Sequence, residues 1–189
     1  MDAIIELLRK IIKLPDTEAE KFASIANERR MDKGEHFIRE GQVPKKIAFV
    51  GKGLFRYFYI DGNGTEYTKN FILAGNFITS YSAMIAQKPS AMFIEALEDS
   101  VIYEINYTDW EQLKNGHSCW KDLLIHFLEK AFSTKEKRER ELLLLDAEHR
   151  YRIFKEEFPC LETRVKQHLI ASYLGISPVS LSRLKNSKR

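Results

Sequence analysis

The sequence of 189 residues predicts an α+β protein in which a small antiparallel β-roll is flanked by helices. Short β-branched and aromatic runs, separated by glycines, extend from residue 34 to residue 105 and are typical of strands. Apolar residues at helical spacing occur on both sides of that region. Many short strands framed by helices favour a roll or barrel over a parallel sheet.

The N-terminal stretch predicts two short helices. Ile4, Leu8 and Ile11 share one helical face, and Pro15 interrupts the pattern. The capping box Thr17-x-x-Glu20 is expected to start the second helix.

The strand region contains one clear hairpin. The turn IDGNGT supplies Asp-Gly and Asn-Gly steps that tolerate positive φ, so Leu54–Ile60 and residues 65–73 are expected to pair. After the last strand, SVIYEI, a second capping box, Thr108-x-x-Glu111, predicts a return to helix.

A long helix is predicted next, because residues 121–158 contain neither glycine nor proline. Asp146 is expected to cap a second helix where the long one breaks, and Pro159 to end that second helix. Two roles stay open for the long helix: pairing with a second copy, or lying on its own domain. Its heptad-spaced positions are Leu124, Leu128, Ala131, Lys135, Arg138, Leu142 and Leu145.

The C-terminal tail predicts a helix-turn-helix with helices at about 166–173 and 178–186. Gly175 is suited to the left-handed conformation that ends the first helix, Ser177 is a good N-cap, and Pro178 fits the first turn. Leu181 and Leu184 are expected to point into the core. The outward residues of the second helix are then Val179, Ser180, Ser182, Arg183 and Lys185.

The charge distribution favours DNA as the partner of this tail. Residues 1–115 carry 15 basic and 17 acidic side chains, whereas residues 116–189 carry 15 and 10. No carboxylate follows Thr163, and a basic surface of this kind suits phosphates. We expect Arg183 to contact guanine and serines to contact bases or phosphates. The predicted DNA-binding residues are Lys166, Gln167, Ser177, Val179, Ser180, Ser182, Arg183 and Lys185, with Lys188 and Arg189 as further phosphate contacts.

Nearly the whole chain resembles the Crp-Fnr superfamily of bacterial transcription regulators. The resemblance rests on REGQ (39–42), GKGLFRYF (51–58), GNFITSYSAM (75–84), AEHRYRIFKEEFP (147–159) and IASYLGISPVSLSRL (170–184). It implies a jelly-roll-like, cyclic-nucleotide-binding-like sensor domain at 1–115, a dimerisation helix at 116–145 and a DNA-binding domain at 146–189. Arg183 matches the family's base-contacting arginine, whereas Val179 replaces a glutamate that contacts bases in many members.

The resemblance also implies partners. We expect a homodimer on double-stranded DNA with a near-palindromic operator, and RNA polymerase is a further candidate partner. Family members usually continue into a β-hairpin wing, and because this sequence ends at Arg189 we expect the wing to be short or absent.

Two departures from the family argue against its known cofactors. Members that bind cyclic AMP carry Gly-Glu-Leu and then Arg-Ser-Ala or Arg-Thr-Ala, in which glutamate holds the ribose and arginine the phosphate. Here the corresponding residues are GNF (75–77) and PSA (89–91), so the phosphate would be buried without a paired charge. We therefore expect no dependence on cyclic AMP. The resemblance also implies that oxygen sensors of the family hold iron and sulfur with an N-terminal cysteine cluster. No cysteine precedes Cys119 here, so we expect no iron–sulfur cluster.

A different effector pocket stays open. Its candidate residues supply polar tips near the loop at 75–84: Arg56, Tyr57, Tyr67, Asn76, Tyr81, Ser82 and Ser90. The alternative is that these are ordinary roll and loop side chains, and that the sensor has lost its ligand.

We expect no catalytic activity, no metal and no other cofactor. The five histidines lack His-x-His or His-x₃-His spacing, and no nucleophile or phosphate-loop motif occurs. The absence of a signal peptide or a membrane-spanning run, and two isolated cysteines, predict a cytoplasmic protein. The expected function is sequence-specific DNA binding by a transcription regulator; the alternative is a ligand sensor or protein-interaction module with a degenerate DNA-binding tail.

Overall fold

The structure, a computed structural model, describes residues 1–186 and has the predicted α+β architecture. The strands are β1 (Asn27–Met31), β2 (His36–Ile38), β3 (Lys46–Lys52), β4 (Leu54–Ile60), β5 (Glu66–Leu73), β6 (Phe77–Ile78), β7 (Phe93–Ala96) and β8 (Ser100–Asn106). The helices are α1 (Asp2–Ile11), α2 (Asp16–Ile25), α3 (Tyr81–Ala86), α4 (Tyr107–Gly116), α5 (Ser118–Leu144), α6 (Ala147–Glu157), α7 (Leu161–Arg164), α8 (Gln167–Leu174) and α9 (Pro178–Asn186).

The strands form two four-stranded sheets. One has the order β1-β8-β3-β6 and the other β2-β7-β4-β5. In the first sheet β8 pairs antiparallel with both β1 and β3, and β3 pairs antiparallel with β6. Strands β4 and β5 are neighbours, so the predicted hairpin is confirmed, and β5 lies at an edge of its sheet.

Alternation along the strands separates two apolar clusters. Ala48 and Val50 of β3 join residues of both sheets in one cluster, which also holds Phe55 and Ile94. The intervening Phe49 joins a second cluster formed with α1, α2, α4 and the start of α5. Because successive side chains of a strand point to opposite faces, β3 is buried on both sides. One cluster therefore fills the roll and the other attaches the helices to it.

Both predicted capping boxes are wrong about where their helices start. Helix α2 begins at Asp16, because the carbonyl of Pro15 already accepts bonds from the amides of Glu18 and Ala19. Helix α4 begins at Tyr107, whose own amide donates to the carbonyl of Lys45 at 2.8 Å. Neither helix has a side-chain cap bond. Asp146, in contrast, caps α6 as predicted, by accepting from the amide of His149 at 2.9 Å.

Two fully buried tryptophans differ in their hydrogen bonding. The Trp120 indole donates to the Glu18 carboxylate at 2.7 Å, and its ring stacks on Phe22. The indole N–H of Trp110 is equally buried but has no acceptor among the described residues. The Glu18 carboxylate also accepts from Lys21 at 2.6 Å, so Trp120 supplies one of its hydrogen bonds.

We expect Trp120→Phe to lower the free energy of unfolding by about 1–3 kcal/mol more than Trp110→Phe. Both variants lose the same atoms, but only the first leaves a buried carboxylate short of a donor. Urea denaturation of the full chain measures the difference. Equal losses in the two variants would contradict the stabilising role of the Glu18 bond.

Contacts along the chain divide it into two compact units. The first comprises Met1–Tyr57 with Phe71–Lys130, and the second comprises Phe58–Asn70 with the residues from Ala131 onward. Helix α5 lies within the segment predicted for dimerisation, whose limits at residues 116 and 145 stay a prediction. Within residues 1–186, no helix has the length and apolarity needed to cross a membrane.

Candidate nucleic-acid interface

The tail forms the predicted helix-turn-helix. Helix α8 ends at Gly175, whose φ of 66° is left-handed, and the amide of Gly175 donates back to the carbonyl of Ser172. Helix α9 starts at Pro178, and the Ser177 hydroxyl accepts from the amide of Ser180 at 3.1 Å. The observed helices agree with the predicted ones to within one residue at each end. Local turn and cap chemistry therefore predicts where both helices of this motif begin and end.

An apolar contact holds α9 against its partner helix. Leu181 is completely buried, as are Ile170 and Leu174 of α8. Ala171, also fully buried, has the small side chain that lets α9 approach α8 closely. Leu184, predicted to be buried, is half-buried. The side of α9 that carries Leu181 therefore packs against α8, and the opposite side of α9 is exposed to solvent.

The predicted DNA-binding residues lie mainly on the exposed side. Val179 is 60% exposed. Ser180 is half-buried and shares a 2.9 Å hydrogen bond with the Ser177 hydroxyl. Lys188 and Arg189 lie outside the described residues. The remaining exposed positions are Lys166, Gln167, Ser177, Ser182 and Arg183.

Lys185 differs from the other predicted contacts because it is already paired. Its ammonium lies 2.8 Å from the Glu162 carboxylate, and the Tyr151 hydroxyl donates to the same carboxylate at 2.7 Å. Partial burial raises the pKa of Glu162, but the bonds from Lys185 and Tyr151 outweigh it, and the pKa lies below its usual value. A DNA phosphate would have to compete with Glu162 for Lys185.

Two arginines support the helix-turn-helix: Arg150, which the sequence analysis did not single out, and Arg138, which it placed on the heptad seam of the long helix. Arg150 of α6 donates to the carbonyl of Leu174 at 3.0 Å and to that of Leu145 at 2.6 Å. The Arg138 guanidinium lies 3.5 Å from the ring centre of Tyr173. Burial raises the pKa of Tyr173 to about 12, so its hydroxyl is neutral at physiological pH. These contacts join the end of α8 to α5 and α6 within the second unit.

The β4–β5 hairpin also contacts the helix-turn-helix within the second unit. The Ser172 hydroxyl of α8 accepts from the amide of Thr68 at 2.8 Å and donates to the carbonyl of Glu66 at 2.9 Å. One side chain thereby bonds two backbone groups of β5. Nothing in the local sequence around Ser172 indicates this contact, since its partners lie about a hundred positions earlier.

Several predicted effector residues are engaged inside the first unit. Tyr57 contacts Thr79 twice: its hydroxyl accepts from the Thr79 amide at 3.1 Å and donates to the Thr79 carbonyl at 3.4 Å. Burial raises the pKa of Tyr57 far above its usual value. Arg56 is 1% exposed, and its guanidinium lies 3.8 Å from the Glu95 carboxylate.

The residues that replace the family's cyclic-nucleotide motifs bond to the protein itself. The Asn76 amide donates to the carbonyl of Leu73 at 3.0 Å, and its oxygen accepts from Lys130 at 2.8 Å. Ser90 is buried, and its hydroxyl donates to the carbonyl of Met92 at 2.9 Å. Between Gly75 and Ala91 the one basic side chain is Lys88. These side chains do not fit a cyclic phosphate in the way that a buried arginine would.

The other candidate pocket residues are not gathered by hydrogen bonds. Tyr81 is half-buried and Ser82 is exposed on α3. Tyr67 belongs to the second unit and donates to the Asp61 carboxylate at 3.1 Å. A groove of about 220 Å³ lies elsewhere, between α2 and α4, and none of the seven candidate residues lines it.

Metal-binding groups do not cluster in the described part of the chain: no set of three His, Cys, Asp or Glu side chains is placed to hold an ion. His149 lies 2.9 Å from the capping carboxylate of Asp146, and the His117 ring accepts from the amide of Cys119 at 3.2 Å. These two histidines therefore have local contacts at helix starts.

Helix α5 exposes large apolar side chains along one face. Ile125 is 50% exposed, Leu128 42%, Phe132 68% and Leu142 44%. Leu124, one position before Ile125, is half-buried and packs against the apolar cluster of the first unit. The exposed seam shares Leu128 and Leu142 with the predicted one, but Ile125 and Phe132 replace the predicted Leu124 and Ala131. Leu124 packs against the core of its own unit, and the predicted Arg138 stacks on Tyr173.

The chain combines an antiparallel β-roll, a long helix and two C-terminal helices joined by a short turn. The family model described as the cyclic nucleotide-binding domain matches residues 28–117. The chain shares its fold with solved structures of bacterial regulators, one of them described as a putative transcriptional regulator of the crp/fnr family.

Three solved structures illustrate the similarity. FixK2 from Bradyrhizobium japonicum has a TM-score of 0.74 and 16% identity, covering 86% of this chain and 84% of that chain. The c-di-GMP responsive regulator CLP from Xanthomonas campestris has a TM-score of 0.72 and 16% identity, covering 92% and 91%. The catabolite activator protein of Thermus thermophilus has a TM-score of 0.59 and 18% identity, covering 92% and 83%. A comparison with curated protein sequences finds no match.

Proposed function

We propose that this protein is a transcription regulator that binds double-stranded DNA sequence-specifically through α9. The observation that carries the proposal is the pairing of a fully buried Leu181 with an exposed Val179 and Arg183 on the same short helix. A recognition helix requires this division, because one side anchors it while the other enters the major groove. Arginine bonds guanine bidentately there and serine contacts bases or phosphates.

The charge of the tail supports the proposal. Among the residues predicted to meet DNA, Lys166 and Gln167 are exposed at the start of α8, where phosphate contacts would set the register. No acidic side chain follows Thr163, so α8 and α9 themselves carry no carboxylate that would repel a phosphate, and the nearby Glu162 is paired with Lys185.

A homodimer formed through α5 would determine the symmetry of the DNA site that the two copies of α9 bind. The exposed Ile125, Leu128, Phe132 and Leu142 recur at intervals of three, four and ten residues, which keep to one heptad face. A two-fold dimer would place two copies of α9 about one DNA turn, or about 34 Å, apart. We therefore propose a near-palindromic operator, with RNA polymerase as a further partner and action in the cytoplasm, where the DNA lies. We propose no catalytic step.

Selection of bound fragments from a random duplex pool tests the proposal, with the full chain competed by nonspecific DNA at rising salt. We expect enrichment of a two-fold element with half-sites about ten base pairs apart, and an affinity that falls steeply with salt. Absence of enrichment, together with affinity insensitive to salt, would support instead the sensor or protein-interaction module with a degenerate tail.

We also propose that cyclic AMP is not the effector, since Asn76 and Ser90 bond to the protein and Pro89 stands where cyclic-AMP-binding members carry arginine. Cyclic AMP at millimolar concentration is expected to leave the melting temperature unchanged. A bound ligand at 100 times its Kd would stabilise the fold by about 2.7 kcal/mol, a shift that thermal denaturation detects readily. Such a shift would overturn this part of the proposal.

A further inference from the structure

The cations of the helix-turn-helix differ in whether the protein itself already binds them. The side chains of Lys166 and Arg183 are exposed and form no hydrogen bond or ion pair with any residue from 1 to 186. Lys185, in the last turn of α9, is only 26% exposed, and its ammonium lies 2.8 Å from the Glu162 carboxylate. The positive charges of this motif are therefore not equally available to a phosphate.

The carboxylate that pairs with Lys185 is itself held in place. Glu162 lies on the short helix α7, next to Leu161, which is 1% exposed. The hydroxyl of Tyr151, a buried residue of α6, donates to Oε1 of Glu162 at 2.7 Å, and Lys185 contacts the same oxygen. Residues of α6, α7 and α9 therefore meet at one carboxylate, and all of them belong to the second unit.

We propose that Glu162 is a positioning residue that keeps Lys185 from contacting DNA phosphates, so that α9 makes one phosphate contact fewer than its sequence predicts. If Lys185 moved to a phosphate, Glu162 would lose its cation while it is only 27% exposed, and it would lie near a second anion. A largely buried charge that loses its partner is costly. The Glu162–Lys185 ion pair therefore remains formed when α9 binds DNA.

The ion pair lowers the affinity for every DNA sequence alike. A phosphate contact strengthens binding to operator and nonspecific DNA equally, because it carries no sequence information. Glu162 thus makes both complexes weaker and less dependent on salt, while the ratio of affinities that Arg183 determines is unchanged. This inference rests on the proposed function, because it concerns how α9 binds DNA.

Glu162→Gln in the full chain tests the inference. The glutamine keeps an acceptor for Tyr151 but has no charge with which to hold Lys185, so the lysine becomes available to a phosphate. The affinity for operator and scrambled duplexes should rise by the same factor, roughly tenfold at about 50 mM salt. The slope of log affinity against log salt should steepen by about one, so the increase should shrink three- to fourfold at about 200 mM salt. Fluorescence titration of both duplexes over this range measures the slope.

Two further variants distinguish release of Lys185 from a simple loss of negative charge. Glu156→Gln, exposed on α6, removes the same charge from the same unit and is the matched control, which should leave the slope nearly unchanged. In the Lys185→Met background, Glu162→Gln should no longer steepen the slope, because no lysine is left to release. Thermal denaturation of each variant confirms that it is folded.

The outcomes separate this inference from the proposed function. If the full chain binds DNA but Glu162→Gln has no more effect on the slope than Glu156→Gln, the inference is refuted while the proposed function stands. The same holds if Glu162→Gln steepens the slope equally in the Lys185→Met background, since the effect then does not come from Lys185. If the full chain binds neither duplex even at low salt, both fail.

Discussion

Replacement of Leu181 by alanine is expected to lower the free energy of unfolding by about 2–5 kcal/mol, because the side chain is completely buried between α9 and α8. The loss combines the missing transfer energy with a cavity that the two short helices cannot fully close. Binding to specific and nonspecific DNA should weaken together, since the recognition helix loses its anchor. Denaturation of the full chain and DNA titration measure the two effects.

Val179→Ala is the matched control for Leu181→Ala. Val179 lies two residues earlier on the same helix and is 60% exposed, so its truncation should change stability by less than about 0.5 kcal/mol. If Val179→Ala destabilised the protein as much as Leu181→Ala, the assignment of the buried and exposed sides of α9 would be incorrect.

Arg183→Ala is expected to weaken binding to the selected operator by about 1–3 kcal/mol and to leave nonspecific binding nearly unchanged. The reason is that a bidentate contact to a guanine edge exists only on the correct sequence. Arg183 is exposed, so the substitution should not alter the unfolding free energy appreciably. Fluorescence titration on operator and scrambled duplexes at fixed salt measures the ratio of the two affinities.

Lys166→Ala provides the contrast to Arg183→Ala. A phosphate contact carries no sequence information, so its loss should weaken both duplexes equally and reduce the slope of log affinity against log salt by about one. If Arg183→Ala instead behaved like Lys166→Ala, with equal losses on both duplexes, Arg183 would contact the DNA backbone and not a base.

The helix-turn-helix could be predicted closely from sequence because its determinants are local. Gly175, Ser177 and Pro178 each act on the backbone within one turn of their own position. The Pro15 and Lys45 carbonyls show the limit of local rules. Each carbonyl accepts a hydrogen bond at the start of a helix. The nearby threonine capping box predicts that start a residue or two too late.

The contacts that support the site could not be predicted, because they join distant parts of the chain. Ser172 meets β5 about a hundred residues earlier, and Arg150 meets the end of α8. Heptad spacing likewise identified α5 as a candidate seam, yet it could not show that Leu124 packs into the core while Ile125 stays exposed. Which of two adjacent apolar residues is buried depends on the tertiary structure.

The two hydrogen bonds of Ser172 have a consequence for strand addition. β5 is an edge strand, and the Glu66 carbonyl and Thr68 amide are the kind of backbone pair that an additional strand would use. Because the Ser172 hydroxyl occupies both groups, a foreign strand would have to displace it to extend the sheet at that point. Helix α8 therefore also protects this part of the β5 edge, within the second unit, from pairing with another strand.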